Sequence, residues 1–152
     1  MTHADLVSRA VRWLRNTRHC SLICTRQLAI ANEQPDVIGW RSGGLSVLIE
    51  CKVSISDFNR DADKPHRMFP GAGMGNERYY LTPGALVEAH KVPYPFGLLE
   101  CWQHRIVKRK DAVFVAEKNT HEELKHAIAM AVRGAQEFDV AVSAGCLIDC
   151  GL

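Results

Sequence analysis

The sequence contains no long hydrophobic segment, and its first residues show no basic start followed by an apolar stretch. A membrane-spanning helix needs roughly 20 consecutive apolar residues, so the first absence excludes such a helix. A basic start followed by an apolar stretch is typical of a secretory signal, so the sequence predicts no such signal. We therefore expect a cytoplasmic protein without a membrane partner.

Internal repeats, low-complexity segments and interdomain linkers are also lacking. A chain of 152 residues with 47% hydrophobic and 24% charged residues is long enough to bury one hydrophobic core. We expect a single domain over 1–152, with a core at about 3–110 and a C-terminal helix and tail over 111–152.

Tight CxxC knuckles, the usual framework of a structural zinc site, are missing. The six cysteines include two pairs with the same four-residue offset, Cys20 with Cys24 and Cys146 with Cys150. Four such thiolates leave a zinc or iron–sulfur site open as an alternative. The spacing favours reduced thiols that pack as small buried hydrophobes.

A large excess of positive charge is absent, since the formal net charge is only +2. That balance is too mild to indicate nucleic-acid binding by itself. The basic residues nevertheless form two clusters, Arg9, Arg12, Arg15 and Arg18, and Arg105, Lys108, Arg109 and Lys110. Each cluster either contacts phosphate groups or covers a solvated face.

Hydrophobic periodicity and turn residues predict an α/β fold with alternating helices and strands. The predicted elements are a helix over 4–16, a strand over 20–29, a hairpin over 35–41 and 45–52, a helix from Ser54 to Pro65, a glycine-containing mobile loop over 65–77, a strand over 77–81, a short helix from Thr82, a hairpin over 96–102 and 105–109, and a helix over 120–138. In the last helix, Thr120 and Glu123 predict a capping box, and Leu124 and Ile128 are expected to face inward.

The first hairpin brings chemically active residues together. If Gly43 is its apex, the numbers of opposed residues add up to 86, which places Asp36 opposite Glu50. Directly opposed residues project to the same face, and Lys52 follows two residues later on that face. The spacing therefore predicts two carboxylates and an ammonium group at the open end of one hairpin.

Two carboxylates at this distance repel each other unless one is protonated or a cation binds both. Oxygen ligands suit Mg²⁺ or Mn²⁺, which retain water and accept phosphate oxygens. A metal of this kind activates bound water, and a neighbouring lysine stabilises negative charge in the transition state. These are the parts that phosphodiester hydrolysis requires.

Pro35-Asp36, Glu50-Cys51-Lys52 and the helix that follows resemble the PD-(D/E)xK nuclease superfamily, and most of all the small MmcB-like bacterial and phage DNA-repair proteins. The resemblance covers about residues 3–110. It implies a restriction-endonuclease-like αβββαβ core, a mixed central sheet flanked by helices, to which this chain adds a C-terminal hairpin and helix.

The resemblance also implies roles for individual residues. Asp36, Glu50 and Lys52 would be catalytic, and Mg²⁺ (or Mn²⁺) would be bound by Asp36, Glu50 and the Cys51 backbone carbonyl, with Asp5 as a further candidate ligand. The candidate DNA contacts are Asp57, Lys64, Arg67, Arg78 and Arg12. Many members of the superfamily have a glutamate in the first helix as an additional ligand, and this sequence offers only Asp5 there.

Together with these residues, the resemblance implies a metal-dependent DNA nuclease, most of all an endonuclease, that acts in DNA repair, recombination or phage DNA metabolism. DNA is the expected partner, and a homodimer is a candidate assembly. The alternative is a catalytically silent binding protein with a nuclease fold, such as a phage inhibitor of a host defence system.

Overall fold

A computed structural model describes residues 1–25, 32–61 and 63–143 of the chain. The helices and strands, in chain order, are α1 (His3–Asn16), β1 (Leu22–Cys24), β2 (Val37–Trp40), β3 (Ser46–Cys51), α2 (Ile55–Asp61), α3 (Pro65–Met68), β4 (Glu77–Pro83), β5 (Gly97–Cys101), β6 (Ile106–Lys110) and α4 (Thr120–Ser143). This order confirms the predicted αβββαβ core with an added C-terminal hairpin and helix.

The six strands form one mixed sheet in the order β1-β2-β3-β4-β5-β6. The two hairpins pair antiparallel, whereas β3, β4 and β5 run parallel to one another. Because β3 and β4 are parallel, the chain must cross from one end of the sheet to the other between them, and α2 and α3 lie in this crossover. A helix that connects two strands of one sheet implies such a parallel pairing.

Helix α1 covers one face of the sheet. Thr2 and Asp5 form a reciprocal capping box at its start, and three residues at four-residue spacing are fully buried, namely Leu6, Ala10 and Leu14. At Gly39 an added Cβ would lie 2.9 Å from the Cys20 sulfur. The close packing of α1 and its following turn against β2 therefore requires glycine at this position.

The opposite face of the sheet has its own core, which includes Ile38, Leu48, Tyr80 and Phe96. The first turns of α4 bind to this side through polar groups. Glu123 accepts hydrogen bonds from the Ser46 hydroxyl at 2.6 Å and from the Gly75 amide at 2.8 Å.

Two predictions about α4 are therefore wrong. Leu124 and Ile128 are more than half exposed, because Glu123 and His126 occupy the buried side of the helix. The predicted capping box is replaced by Asn119, whose side chain accepts a hydrogen bond from the Glu122 amide at 3.1 Å.

The segment between β3 and β4 differs most from its prediction. Helix α2 ends at Asp61, and Pro65 begins α3 rather than ending a helix, since proline suits the first turn. Instead of a mobile loop, α3 and a 3-10 turn at Pro70–Ala72 occupy this region. Thr82 and Pro83 extend β4 and do not start a helix.

Two sequence predictions extend beyond the described residues. The strand expected over 20–29 is observed as β1 and ends at Cys24, and its remaining part falls within 26–31. Cys146 and Cys150 also lie outside the described ranges. No helix in the described ranges is long and apolar enough to cross a bilayer.

Replacement of Leu14 by alanine tests the packing of α1. Because Leu14 is fully buried, the substitution removes apolar contacts and leaves a cavity. The expected loss in the free energy of unfolding is about 2–5 kcal/mol, measured by urea denaturation. Leu124→Ala is the matched control, because Leu124 is 54% exposed, and its expected effect is below about 0.5 kcal/mol. Equal losses in the two variants would contradict this packing.

Candidate active site

The predicted register of the first hairpin is confirmed. Val37 pairs with Ile49 and Trp40 with Ser46, so opposed residue numbers add up to 86. Gly43 and Gly44 both have positive φ, which suits the tight connection between the strands. The same register, continued one position beyond the Val37–Ile49 pair, opposes Asp36 to Glu50 at the open end of the hairpin.

Asp36 is bound at the junction of β3 and α1. Its Oδ2 accepts a hydrogen bond from the Cys51 amide at 2.7 Å, and its Oδ1 lies 3.2 Å from Nε2 of His3. The amide and carbonyl of a strand residue point to the same side. The Cys51 carbonyl therefore faces the side on which Asp36 lies, as the predicted metal site requires.

Glu50 is almost fully buried, with 2% of its surface exposed. Its Oε1 accepts a hydrogen bond from Nη2 of Arg67 at 2.9 Å, and its Oε2 lies 3.8 Å from Nζ of Lys52. Burial raises the pKa of Glu50 to about 7, with Arg67 opposing the rise and Asp36 adding to it. The neighbouring cations therefore offset the energetic cost of burying this carboxylate only in part.

Lys52 also lies in the predicted place, on the same face and 6% exposed. Its Nζ is closer to Oδ1 of Asp61, at 3.1 Å, than to Glu50. Burial acts to lower the pKa of Lys52, but Glu50 and Asp61 outweigh it and raise that pKa. Lys52 is therefore an ammonium group that donates hydrogen bonds, and it is unsuited to accept a proton at neutral pH.

Arg67 is the centre of the buried polar cluster. Its guanidinium donates to Asp61 at 2.6 Å, to Glu50 at 2.9 Å and to Glu33 at 3.3 Å. It also lies over the ring of Phe96, 4.6 Å from the ring centre. The prediction that Arg67 contacts DNA is wrong for this structure, because its hydrogen bonds are used inside the protein.

Asp61 and Glu33 are members of this cluster that the sequence did not reveal. The Tyr80 hydroxyl donates to Asp61 at 2.7 Å, and Lys64 forms an ion pair with it at 2.6 Å. Burial would raise the pKa of Asp61, but its hydrogen bonds with Arg67, Lys64 and Tyr80 lower it. The available signals were weak: Asp61 follows Asp57 by one helical turn, and Glu33 precedes Asp36 by three residues.

The other predicted residues have different positions. Arg78 is fully buried, and its guanidinium donates to the carbonyls of Pro70, Gly73 and Gly75, so its predicted DNA contact is wrong. The Asp5 carboxylate accepts hydrogen bonds from the amide and hydroxyl of Thr2. It therefore caps α1 instead of joining the Asp36–Glu50 pair. Arg12 lines a separate cavity.

Asp57 and Lys64 lie close to the cluster. Asp57 is in the first turn of α2, where its amide donates a hydrogen bond to the Ser54 hydroxyl at 3.2 Å, and its negative charge raises the pKa of Lys52. Lys64 remains 42% exposed while its ammonium reaches Asp61. These two residues form the solvent edge of the site, and their contact with DNA stays a prediction.

The donor atoms of Asp36, Glu50 and the Cys51 carbonyl are all oxygens, which suit Mg²⁺ or Mn²⁺. In the part of the chain that the structure describes, no group of three or more His, Cys, Asp and Glu side chains is arranged to bind a metal. The predicted set contains only two such side chains, the carboxylates, together with a backbone carbonyl, and is therefore smaller than a group of that kind. Because the neighbouring cations offset the buried negative charge of Glu50 only in part, a further cation at this site would stabilise the carboxylate.

The cysteines within the described ranges are buried. They are Cys20, Cys24, Cys51 and Cys101. Burial raises the pKa of Cys51 and keeps it a neutral thiol. The expectation of buried thiols is confirmed for these four residues.

Comparisons with known proteins show the fold but not an activity. No protein-family model matches the chain, and no curated protein is similar to it. A solved structure that is similar is the SPO1766 protein of unknown function from Silicibacter pomeroyi. It is 18% identical, matches with a TM-score of 0.67, and the match covers 99% of each chain.

Removal of the central guanidinium tests the buried cluster. Arg67→Gln leaves Glu33, Glu50 and Asp61 short of positive charge in a buried position. We expect the free energy of unfolding to fall by about 3–5 kcal/mol, measured by urea denaturation at neutral pH. Arg60→Gln is the control, because the Arg60 side chain is 78% exposed. A similar stability for the two variants would show that the cluster is not held by Arg67.

The raised pKa of Glu50 predicts a pH dependence of stability in metal-free buffer. The folded protein binds the proton of Glu50 more tightly than the unfolded chain does, so the associated stability is present below pH 4.5 and is lost as pH rises through about 7. The slope is at most about 1.4 kcal/mol per pH unit. Glu50→Gln should lose this component in denaturation curves measured across that window. Parallel curves for wild type and variant would contradict the prediction.

Proposed function

We propose that the protein is a metal-dependent DNA nuclease with Asp36, Glu50 and Lys52 as its catalytic residues. Of the two modes of cleavage, we propose endonuclease action. The observation that carries this proposal is the register that opposes Asp36 to Glu50 and places the Lys52 ammonium on the same face. The proposal of DNA as substrate rests on the resemblance of Pro35-Asp36 and Glu50-Cys51-Lys52 to PD-(D/E)xK nucleases. A role in repair, recombination or phage DNA metabolism follows from the same resemblance. We also propose a cytoplasmic location.

The proposed chemistry combines a divalent ion with the chain's own groups. Asp36, Glu50 and the Cys51 carbonyl would bind Mg²⁺ or Mn²⁺, which supplies a water of lowered pKa and polarises the phosphate when it is bound. Lys52 donates hydrogen bonds to the attacking water and to a phosphate oxygen as negative charge increases there. Asp61 orients Lys52 through their contact at 3.1 Å.

Arg67 stabilises the metal-free protein in this proposal. It neutralises Glu33, Glu50 and Asp61 from inside the domain and keeps the Glu50 carboxylate in place. Oε1 of Glu50 receives the hydrogen bond from Arg67, whereas Oε2 lies 3.8 Å from the Lys52 ammonium. A preorganised carboxylate of this kind loses little conformational entropy on binding a cation.

A second candidate is a catalytically silent protein that keeps the nuclease fold and binds a partner. Two observations favour it. Asp5 caps α1 and adds no third carboxylate to the Asp36–Glu50 pair. Arg67 already provides a permanent cation beside Glu50. A partner complex that forms equally well with Asp36→Asn protein, without cleavage of any substrate, would support this candidate.

The nuclease proposal predicts cleavage that depends on metal and on the site. Purified protein should cleave DNA with Mg²⁺ or Mn²⁺ and stop with a chelator, in a panel of linear, single-stranded and branched substrates. Asp36→Asn and Lys52→Met should each reduce the rate at least about 100-fold, because each removes a group that acts on the transition state.

Matched controls separate the site from general charge effects. Asp111→Asn and Lys91→Met change exposed side chains outside the site and should retain the parent rate. Mg²⁺ should also raise the melting temperature of the parent protein more than that of Asp36→Asn, because binding stabilises the folded state. Equal rates for Asp36→Asn and Asp111→Asn would refute the site assignment.

A further inference from the structure

A second candidate site lies on the other face of the sheet. A cavity of about 260 Å³ opens between α1 and the turn that joins β5 to β6. Arg9, Arg12 and Asn16 line it from α1, and His104 and Arg105 line it from the turn. Glu50 belongs to the opposite face, with Leu48 and Ile38, so this cavity is separate from the candidate active site.

The lining of the cavity is basic and contains hydrogen-bond donors. It has three guanidinium groups and no carboxylate, and its further lining residues are Trp13, Asn16, Thr17, His104 and Ile106. Guanidinium groups match the geometry of phosphate oxygens and remain charged at every physiological pH. The chemistry of the lining therefore selects an anion, and the oxygens of a phosphate group match its guanidinium groups.

One arginine builds the cavity and two remain available to a ligand. Arg9 donates to the carbonyl of Trp102 at 3.2 Å and to that of Gln103 at 2.9 Å, which fixes the turn against α1. Within the described ranges, neither Arg12 nor Arg105 forms an ion pair, and both are exposed. These two side chains come from the two basic clusters of the sequence, which are about 90 residues apart and meet here.

The cavity lies at the same end of the sheet as the candidate active site. The parallel strands β3, β4 and β5 end at Cys51, Pro83 and Cys101, and the turn after Cys101 forms one wall of the cavity. Neighbouring strands are about 4.8 Å apart, so β5 is about 10 Å from β3 along this edge. A polyanionic strand that crosses the edge near Glu50 can therefore extend to the cavity.

We propose that this cavity binds a phosphate group in the backbone of a nucleic-acid strand, with Arg12 and Arg105 as the contacting residues. The inference extends the proposed function, because it assigns a second contact for the same class of substrate. It does not need the metal or the cleavage step, because strand binding at a basic cavity is electrostatic.

The test measures strand binding without cleavage. A fluorescein-labelled DNA oligonucleotide, single-stranded and duplex, is titrated with the full chain in a chelator, and its anisotropy gives the dissociation constant. Arg12→Glu and Arg105→Glu should each weaken binding at least about tenfold, since each replaces an attractive charge by a repulsive one. The slope of log affinity against log salt should become less steep by roughly 0.7–0.9 for each phosphate contact that is lost.

Arg15→Glu is the matched control. It makes the same charge change on the same helix, but Arg15 does not line the cavity, so its expected effect is below about twofold. Equal weakening by Arg12→Glu and Arg15→Glu would reveal a general charge effect and overturn the proposal. No weakening by Arg12→Glu and Arg105→Glu, in variants with unchanged melting temperatures, would overturn it as well.

Two further measurements separate this inference from its alternatives. If inorganic phosphate, followed by calorimetry, binds in an Arg12-dependent manner while oligonucleotide binding does not depend on Arg12, the cavity takes free phosphate and the strand proposal fails. Lys52→Met protein should lose cleavage and keep cavity-dependent binding. If the parent protein never cleaves, yet binds the oligonucleotide through Arg12 and Arg105, the nuclease proposal is refuted and this inference is supported.

Discussion

The end of β3 buries a carboxylate that the fold must compensate. Glu50 is 2% exposed, and a charge in that position costs several kcal/mol unless cations and hydrogen-bond donors surround it. Arg67 and Lys52 provide that compensation, and both depend on further carboxylates for their own positions. The arrangement between β3 and β4 follows from this requirement, because α2 supplies Asp61 and α3 supplies Arg67.

The same requirement extends to the surrounding chain. Glu33 binds Arg67 and accepts a hydrogen bond from the Met74 amide at 2.6 Å, which links the segment before β2 to the segment before β4. The buried guanidinium of Arg78 donates hydrogen bonds to three backbone carbonyls of that second segment. Glu123 of α4 then binds the neighbouring Gly75 amide. Charged groups thus join the segments around one face of the sheet, which also has an apolar core, whereas apolar packing of α1 covers the other face.

This division explains what the sequence could predict. The hairpin register follows from local rules, since two glycines define the turn and strand periodicity then places Asp36 opposite Glu50. Order and type of the main elements follow from hydrophobic periodicity in the same way. The partners of Glu50 could not be predicted, because Arg67 reaches it from an irregular segment and no period connects the two residues. The buried face of α4 was misassigned for a related reason: periodicity ranks Leu124 above Glu123, whereas the sheet offers Glu123 polar partners.

The distribution of charge bears on both proposed functions. Within the described ranges, three carboxylates share three cationic side chains, namely Glu33, Glu50 and Asp61 with Lys52, Lys64 and Arg67. Asp36 is outside this balance, because its ion-pair partner in the same ranges is an imidazole, that of His3. The uncompensated negative charge therefore lies beside Glu50, where Asp36 helps to raise the pKa of Glu50 to about 7. A silent binding protein gains nothing from this repulsion, whereas a site that binds a divalent cation gains affinity from it. Within the described ranges, Asp36 pairs with an imidazole and not with a lysine or arginine. This arrangement favours the nuclease proposal, even though Arg67 makes the metal-free protein stable.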